Sequence, residues 1–281
     1  TTLQTLNQSV TLSGSRTSHE LTISNLSPNT LYYYAVGNAA GIIQGGTSDY
    51  HFITSPPVNT QQNIRAWVLG DCGTASSSQT NVKNAFTTYN AGQHLDMTLL
   101  LGDNAYDSGL DAEYQAAIFN MYPEALRKTV FWSCLGNHDY GSISTYLDIF
   151  TNPTSGQAGG VASGSERYYS FNYGNIHFIS LDSHGSGRTV GGSMYNWLQN
   201  DLNNVTQDWI IAFWHHPPYS KGSHNSDTET ELIQMRQNFL PLLESHGVDL
   251  ILCGHSHSYE RSKFLNGHYG SSGTLNPATM V

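Results

Sequence analysis

Charge is scarce in this 281-residue chain: only 11 % of residues are Asp, Glu, Lys or Arg, and 11 basic residues face 21 acidic ones for a net charge of -10. A protein that tracks a nucleic-acid backbone needs a basic surface, so no nucleic-acid scaffold is expected as a partner. A phosphate-bearing substrate would have to be held by something local, such as metal ions. Long apolar runs are also missing, and nothing approaches the roughly 18 residues that would span a bilayer. Cysteine is limited to Cys72, Cys134 and Cys253, an odd number that cannot fully pair and contains no CxxC knuckle, which excludes a zinc ribbon. Each lies beside a polar motif, but small buried residues at strand ends are the expected reading. No basic stretch followed by an apolar core opens the chain at Thr1, so a signal peptide is expected to be already removed or never present. What replaces charge is Gly, Ser, Thr, Asn and Tyr, a composition typical of secreted hydrolases, and a secreted or periplasmic location is the expectation.

Two textures divide the chain. Up to about Ile53 short alternating stretches, 19–23 and 31–36 among them, predict antiparallel β structure. The stretch from Leu26-Ser27-Pro28 to Tyr32-Tyr33-Tyr34 resembles the proline turn and tyrosine strand of fibronectin type III domains, of which only a second half is present. Polar residues 54–62 read as a linker. Expected domains are therefore 1–57, a partial fibronectin-like β segment with the start of the linker, and 58–281, a larger α/β domain. In the second, apolar strands over 64–69, 95–101, 130–135, 176–181, 209–213 and 248–252 alternate with helical stretches over 80–89, 112–121, 193–203 and 228–245, an α/β layout.

Five of those six strands run directly into polar groups, which is where open α/β sheets place ligands. The groups are Asp71, Asp103 with Tyr106, Asn137 with His138, His215-His216-Pro217, and His255 with His257. Singly, each is an ordinary turn, and the preceding glycines could serve only to relieve strained backbone. Independent turns do not accumulate Asp, Asp, Asn, His and His-x-His at successive strand ends. The combined set offers mixed oxygen and nitrogen donors without thiolate, which suits Fe, Zn or Mn better than Ca or a structural zinc.

The series resembles the signature of the calcineurin-like metallophosphoesterases and, within them, of the purple acid phosphatases, over residues 66–261. Most of that superfamily reads Asp-x-His at the first strand; here the third position is Gly73. The purple acid phosphatases share this glycine and supply a tyrosine in Gly-Asp-x-x-Tyr, present as Gly102-Asp103 and Tyr106. The resemblance implies a sandwich of two mixed β-sheets flanked by helices, and, since the family normally continues with further strands after its last motif, that 58–281 is a catalytic domain cut short at its C-terminal end. It implies two metal ions: Fe(III) at Asp71, Asp103, Tyr106 and His257, and a divalent ion (Zn, Fe, Mn or Mg) at Asp103, Asn137, His215 and His255, with Asp103 bridging. His215 is chosen over His216 by the family's His-x-Pro pattern. His138 and His224 are the implied catalytic, phosphate-facing residues, with Asn137 also touching substrate. The expected activity is hydrolysis of small phosphate monoesters, acid phosphatase type, by metal-bound hydroxide attacking phosphorus in line. Diesterase, phytase or nucleotide phosphatase action on the same site is the alternative, and an inactive binding module a remote one. His19, His51, His94, His184, His246 and His268 fall in no matching motif and read as packing or surface residues.

Overall fold

The computed structural model describes residues 6–276. No strand forms between residues 6 and 30, so the strand expected over 19–23 is absent; this stretch is exposed and has no neighbouring strand to take up its backbone hydrogen bonds. The first regular element is a long antiparallel hairpin. Its outer part pairs β1 (Leu31–Tyr33) with β4 (His51–Ile53), and its tip pairs β2 (Ala35–Asn38) with β3 (Gly41–Gly45). The strand expected over 31–36 breaks at Tyr34, because the return strand makes an excursion between Gly45 and His51 before pairing resumes. Tyr34 closes the gap by accepting from Gly46 and donating to Tyr50 through its backbone, while its hydroxyl reaches the Arg127 carbonyl at 2.8 Å.

The remainder is a four-layer α/β/β/α sandwich. One sheet is parallel, in the order β5 (Ala66–Leu69), β6 (Met97–Leu100), β7 (Val130–Ser133). The other is mixed: β8 (Tyr169–Tyr173) runs antiparallel to β9 (Ile176–Ser180), which continues in parallel through β10 (Trp209–Trp214) to β11 (Leu250–Cys253). Strand β8 had no expectation in the sequence, since its aromatic run lacks clean alternation.

Period-two alternation explains the layers. Met97 and Leu99 of β6 meet Phe171, Phe178 and Phe213 of the other sheet in the middle of the sandwich. Leu100 faces outward into a core with Tyr114, Ile118, Tyr122 and Tyr146 from the covering helices. On the far side Ile210, Ala212 and Trp214 of β10 pack under Trp197, Leu198 and Phe239. The helices match expectation closely at α1 (Ser77–Asn90) and α5 (Ser193–Leu202). Those expected over 112–121 and 228–245 each contain a π-helical turn, at Gln115–Phe119 and Met235–Phe239.

Candidate metal centre

Strands β5, β6, β7, β10 and β11 end close together, and the loop after each folds a side chain back over the sheet edges. Asp71, Asp103 and His255 adopt φ of 54, 53 and 67°, a left-handed conformation uncommon outside glycine. The turn strain thus falls on the candidate ligands themselves. Gly136 serves close approach instead, because a Cβ there would lie 2.2 Å from Asp103 Oδ1.

Two groups of atoms share one carboxylate oxygen. Tyr106 Oη lies 3.3 Å from Asp71 Oδ1, 3.1 Å from Asp103 Oδ2 and 3.2 Å from His257 Nε2, with His257 Nε2 3.4 Å from Asp71 Oδ1. Opposite them, His215 Nε2 is 3.3 Å from Asp103 Oδ2, 3.1 Å from Asn137 Oδ1 and 3.2 Å from His255 Nδ1. Every residue that the sequence put forward as a ligand is brought to this place, and Asp103 Oδ2 stands between the two groups.

Hydrogen bonds around the cluster fix which imidazole atoms face inward. His215 Nδ1 is 2.9 Å from the Leu101 carbonyl, which can only accept, so Nδ1 carries a proton and Nε2 is the nitrogen that faces inward. Burial lowers this imidazole, but the Asp103 and Asp71 carboxylates raise it to about 8, so without an ion Nε2 also holds a proton, which a bound cation would displace. His255 Nε2 is 3.3 Å from Glu229 Oε2, leaving its Nδ1 lone pair directed at His215. Carboxylate, amide and phenol oxygens with two kinds of imidazole nitrogen, and no thiolate, make a donor set that fits Fe, Zn or Mn. A cation in place of the protons that now bridge these atoms would be met by the same oxygen and nitrogen lone pairs.

The local electrostatics are compatible with that use. Burial raises the Asp103 carboxyl, but hydrogen bonds and charge from His215 and His138 bring it down to about 2, so it is anionic. Burial lowers His255 to about 4, helped by His215 and His224, which keeps it neutral. Burial also raises the Tyr106 phenol, as do the Asp71 and Asp103 carboxylates; its proton would yield only to a strongly charged ion.

Gly73 and Tyr106 are linked physically. A Cβ at Gly73 would come within 2.4 Å of the backbone at Asn104 and Ala105, so no histidine fits there. The loop that fills the space is the one that carries Tyr106, whose N–H donates to the Gly73 carbonyl at 2.9 Å.

His138 and His224 flank the cluster on opposite sides. His138 packs its ring on Tyr106, places Nδ1 2.6 Å from the Asp107 carbonyl and Nε2 4.0 Å from Asp103 Oδ2. His224 stacks on His255 with ring centroids 3.7 Å apart and bonds Glu229 Oε2 through Nδ1 at 2.8 Å. His216 is buried beside His255 and bonds Ser183 Oγ at 2.9 Å, a supporting contact.

Two supporting residues escaped the sequence reading. Glu229 orients both His224 and His255. Fully buried Asp139 accepts from Tyr114 Oη (2.6 Å), Gly136 N (2.8 Å), and Asn104 Nδ2 (3.0 Å) and N (3.1 Å), which binds the loop of Asp103 to the loop of Asn137. Asp139 could have been suspected from its place beside His138; Glu229 has no local signal. The cysteines are unpaired, and burial pushes Cys72 up to about 12, away from nucleophilic use.

A family model for calcineurin-like phosphoesterases matches residues 64–259. A probable purple acid phosphatase 20 of Arabidopsis thaliana is 28 % identical over 257 residues, covering 86 % of this chain and 55 % of that protein. Purple acid phosphatase 15 of the same plant is 27 % identical, covering 87 % and 49 %, and purple acid phosphatase 1 of Ipomoea batatas 28 %, covering 87 % and 52 %. The chain thus spans about half the length of the curated relatives it matches. Among solved structures, GAP50, the anchor in the inner membrane complex of Plasmodium, superposes with a TM-score of 0.54 at 18 % identity over 78 % of this chain and 74 % of that one, a likeness of fold. With the match covering most of the sandwich and all of its strand-end cluster, the chain belongs to the calcineurin-like phosphoesterases.

Proposed function

We propose that this protein hydrolyses phosphate monoesters at a dinuclear metal centre of the purple acid phosphatase type. The observation that carries the proposal is Asp103 Oδ2, placed 3.1 Å from Tyr106 Oη on one side and 3.3 Å from His215 Nε2 on the other. Asp71, Asp103, Tyr106 and His257 would hold a ferric ion, since a phenol pressed by two carboxylates ionises only against high charge; Asp103, Asn137, His215 and His255 would hold a divalent one. Two adjacent cations in such a site activate water as a nucleophile and neutralise charge on phosphoryl oxygens.

The protein's own groups do the rest. Asn137, whose Oδ1 turns to His215, keeps its amide N–H for a phosphoryl oxygen. His138 and His224 approach from either side, each anchored through Nδ1, so that Nε2 can donate to the phosphoryl group. One of them delivers the proton that the leaving alkoxide needs. Water adds to phosphorus as the ester oxygen departs, giving alcohol and phosphate in one displacement with inversion. The acidic, lightly charged composition supports action outside the cytoplasm.

Metal analysis with a visible spectrum tests the assignment: iron and a broad phenolate-to-iron band are expected, the band disappearing in Tyr106→Phe. A colourless, iron-free and fully active protein would refute the ferric site. Hydrolysis of p-nitrophenyl phosphate well above that of its bis ester is expected for a monoesterase. Retention at a chiral thiophosphate would exclude single displacement.

A further inference from the structure

A second hollow lies at the opposite ends of the same strands. Its wall is formed by Gln61, Gln62 and Asn63 ahead of β5, Asn175 from the β8–β9 turn, and Asp208 and Trp209 at the start of β10, and its volume is about 540 Å³. Six residues of β10 separate Trp209 from His215, a span of about 20 Å, so a ligand here would not touch the metal centre.

The wall combines two kinds of surface. Trp209 is 53 % exposed, and among the described residues no other ring packs on it and no acceptor takes its indole N–H. Around it, Asp208 Oδ2 is fixed by Gln61 Nε2 at 3.0 Å and Asn175 Nδ2 at 3.1 Å, while Oδ1 has no partner among the described residues. The side-chain amides of Gln62 and Asn63 also have no partner among the described residues. Neither Lys nor Arg lines the hollow, while a carboxylate does, so an anion is disfavoured. A purely apolar ligand would desolvate the amides without pairing them.

A sugar ring satisfies both requirements. One face of a pyranose presents C–H groups that lie flat on an indole, and its rim presents hydroxyls that donate to a carboxylate and exchange hydrogen bonds with amides. We propose that this hollow binds a neutral glycan residue, with Trp209 as the platform and Gln62, Asn63 and Asp208 as polar contacts. Such a site would tether the protein to a glycan while leaving the metal centre open at the other end of the sandwich. It stands independently of the phosphatase proposal.

Nuclear magnetic resonance tests this on the intact chain. The five tryptophans give five indole N–H signals, and the one missing in Trp209→Phe assigns Trp209. Cellohexaose, maltohexaose and chitohexaose are titrated separately. The Trp209 signal is expected to move saturably with at least one of them while the others stay still. Trp209→Ala and, on the exposed flank, Gln62→Ala with Asn63→Ala are expected to weaken that binding by about tenfold or more. Should Trp209→Ala not fold, the Gln62 and Asn63 substitutions carry the test. A Trp209 signal unmoved by all three sugars at about 10 mM, a response at a different indole, or binding insensitive to the Gln62 and Asn63 substitutions overturns the proposal. A shift that depends on protein concentration without sugar points to a second copy in the hollow and overturns it equally.

Discussion

Among single residues, Asp139 does most to bring the two halves of the cluster into register, although it touches no candidate ligand atom directly. Its carboxylate takes four hydrogen bonds in a fully buried place, from Tyr114, Gly136 and Asn104. Asparagine cannot replace it well, since the amide nitrogen would face donors. Asp139→Asn should therefore destabilise the fold by roughly 2 to 3 kcal/mol, and Asp139→Ala by more, because each leaves buried donors unpaired. The Asp103 and Asn137 loops would loosen together, so the affinity for metal should fall about 10- to 100-fold, as for other groups that orient ligands. Denaturant melts and metal competition against a chelating dye measure the two effects separately; a variant with wild-type stability and affinity would show that the loops hold without this carboxylate. The seven ligand candidates were legible because their chemistry is local: a strand, a turn and an Asp, Asn or His. Asp139 and Glu229 were not, because what they do depends on atoms 25 or more positions away, Tyr114 and Asn104 for the first and His255 for the second.

At the scale of elements, two short helical pieces hold the loops that carry Tyr106 and His224. Glu113, in the first turn of the helix Asp111–Tyr114, reaches back to the N–H groups of Asp107 (2.7 Å), Ser108 (3.0 Å) and Leu110 (2.9 Å), fixing the chain just after Tyr106. Slight burial raises its carboxyl, but these backbone donors win and hold it below the usual glutamate value. A depressed folded pKa means that its stabilisation is complete above the unfolded glutamate pKa and fades as pH falls through the folded value. Glu113→Gln should thus be less stable than wild type at pH 6 to 7, and the gap should begin to narrow as pH falls below the unfolded glutamate value of about 4.3. Guanidinium melts across that range check it, and a gap independent of pH would remove the charge from the explanation. Arg236 acts similarly on the other side. Buried on the π-helical turn Met235–Phe239, it donates to the carbonyls of Pro218 (2.9 Å), Ser226 (2.6 Å) and Tyr269 (3.3 Å), closing the loop whose tip carries His224. Arg236→Met should raise KM for p-nitrophenyl phosphate more than it lowers kcat, with Arg236→Lys intermediate, since lysine offers a smaller spread of donors. Steady-state kinetics of both variants at matched metal content decide it. Neither π-helical turn was visible in the sequence, because one inserted residue barely disturbs a 3.6-residue apolar rhythm.

For the whole molecule, the sandwich was readable where strands are buried on both faces and end in polar turns. It was unreadable where pairing depends on distant partners, as in β8, or where no partner strand lies alongside among the described residues, as in residues 19–23. The same geometry gives the metal centre a structural role. Asp71, Asp103, Tyr106 and Asn137 come from the parallel sheet, whereas His215, His255 and His257 come from the mixed one. Across that seam the direct links include the paired bonds from His255 N to Asp71 Oδ1 (3.0 Å) and Oδ2 (2.7 Å), and Gly254 packs so closely that a Cβ there would meet Asp71 Oδ2 at 2.6 Å. Ions held by both sheets would therefore act as cross-links between the halves of the sandwich. A ligand present at a thousand times its Kd stabilises the folded state by about 4 kcal/mol, and in a domain of this size each kcal/mol moves Tm by roughly 2 °C. Removing metal with a strong chelator should lower Tm by about 8 °C per tightly held ion, and readdition should restore it. His257→Ala, which under the proposed assignment would remove a ligand from one ion only, should show about half of the chelator effect. Its side chain is 59 % exposed, so little packing is lost with it. Calorimetry of the holo, stripped and His257→Ala proteins separates the cases: a Tm indifferent to chelation would mean that the sheets hold together through their shared apolar core alone and that the ions serve chemistry without joining the two halves.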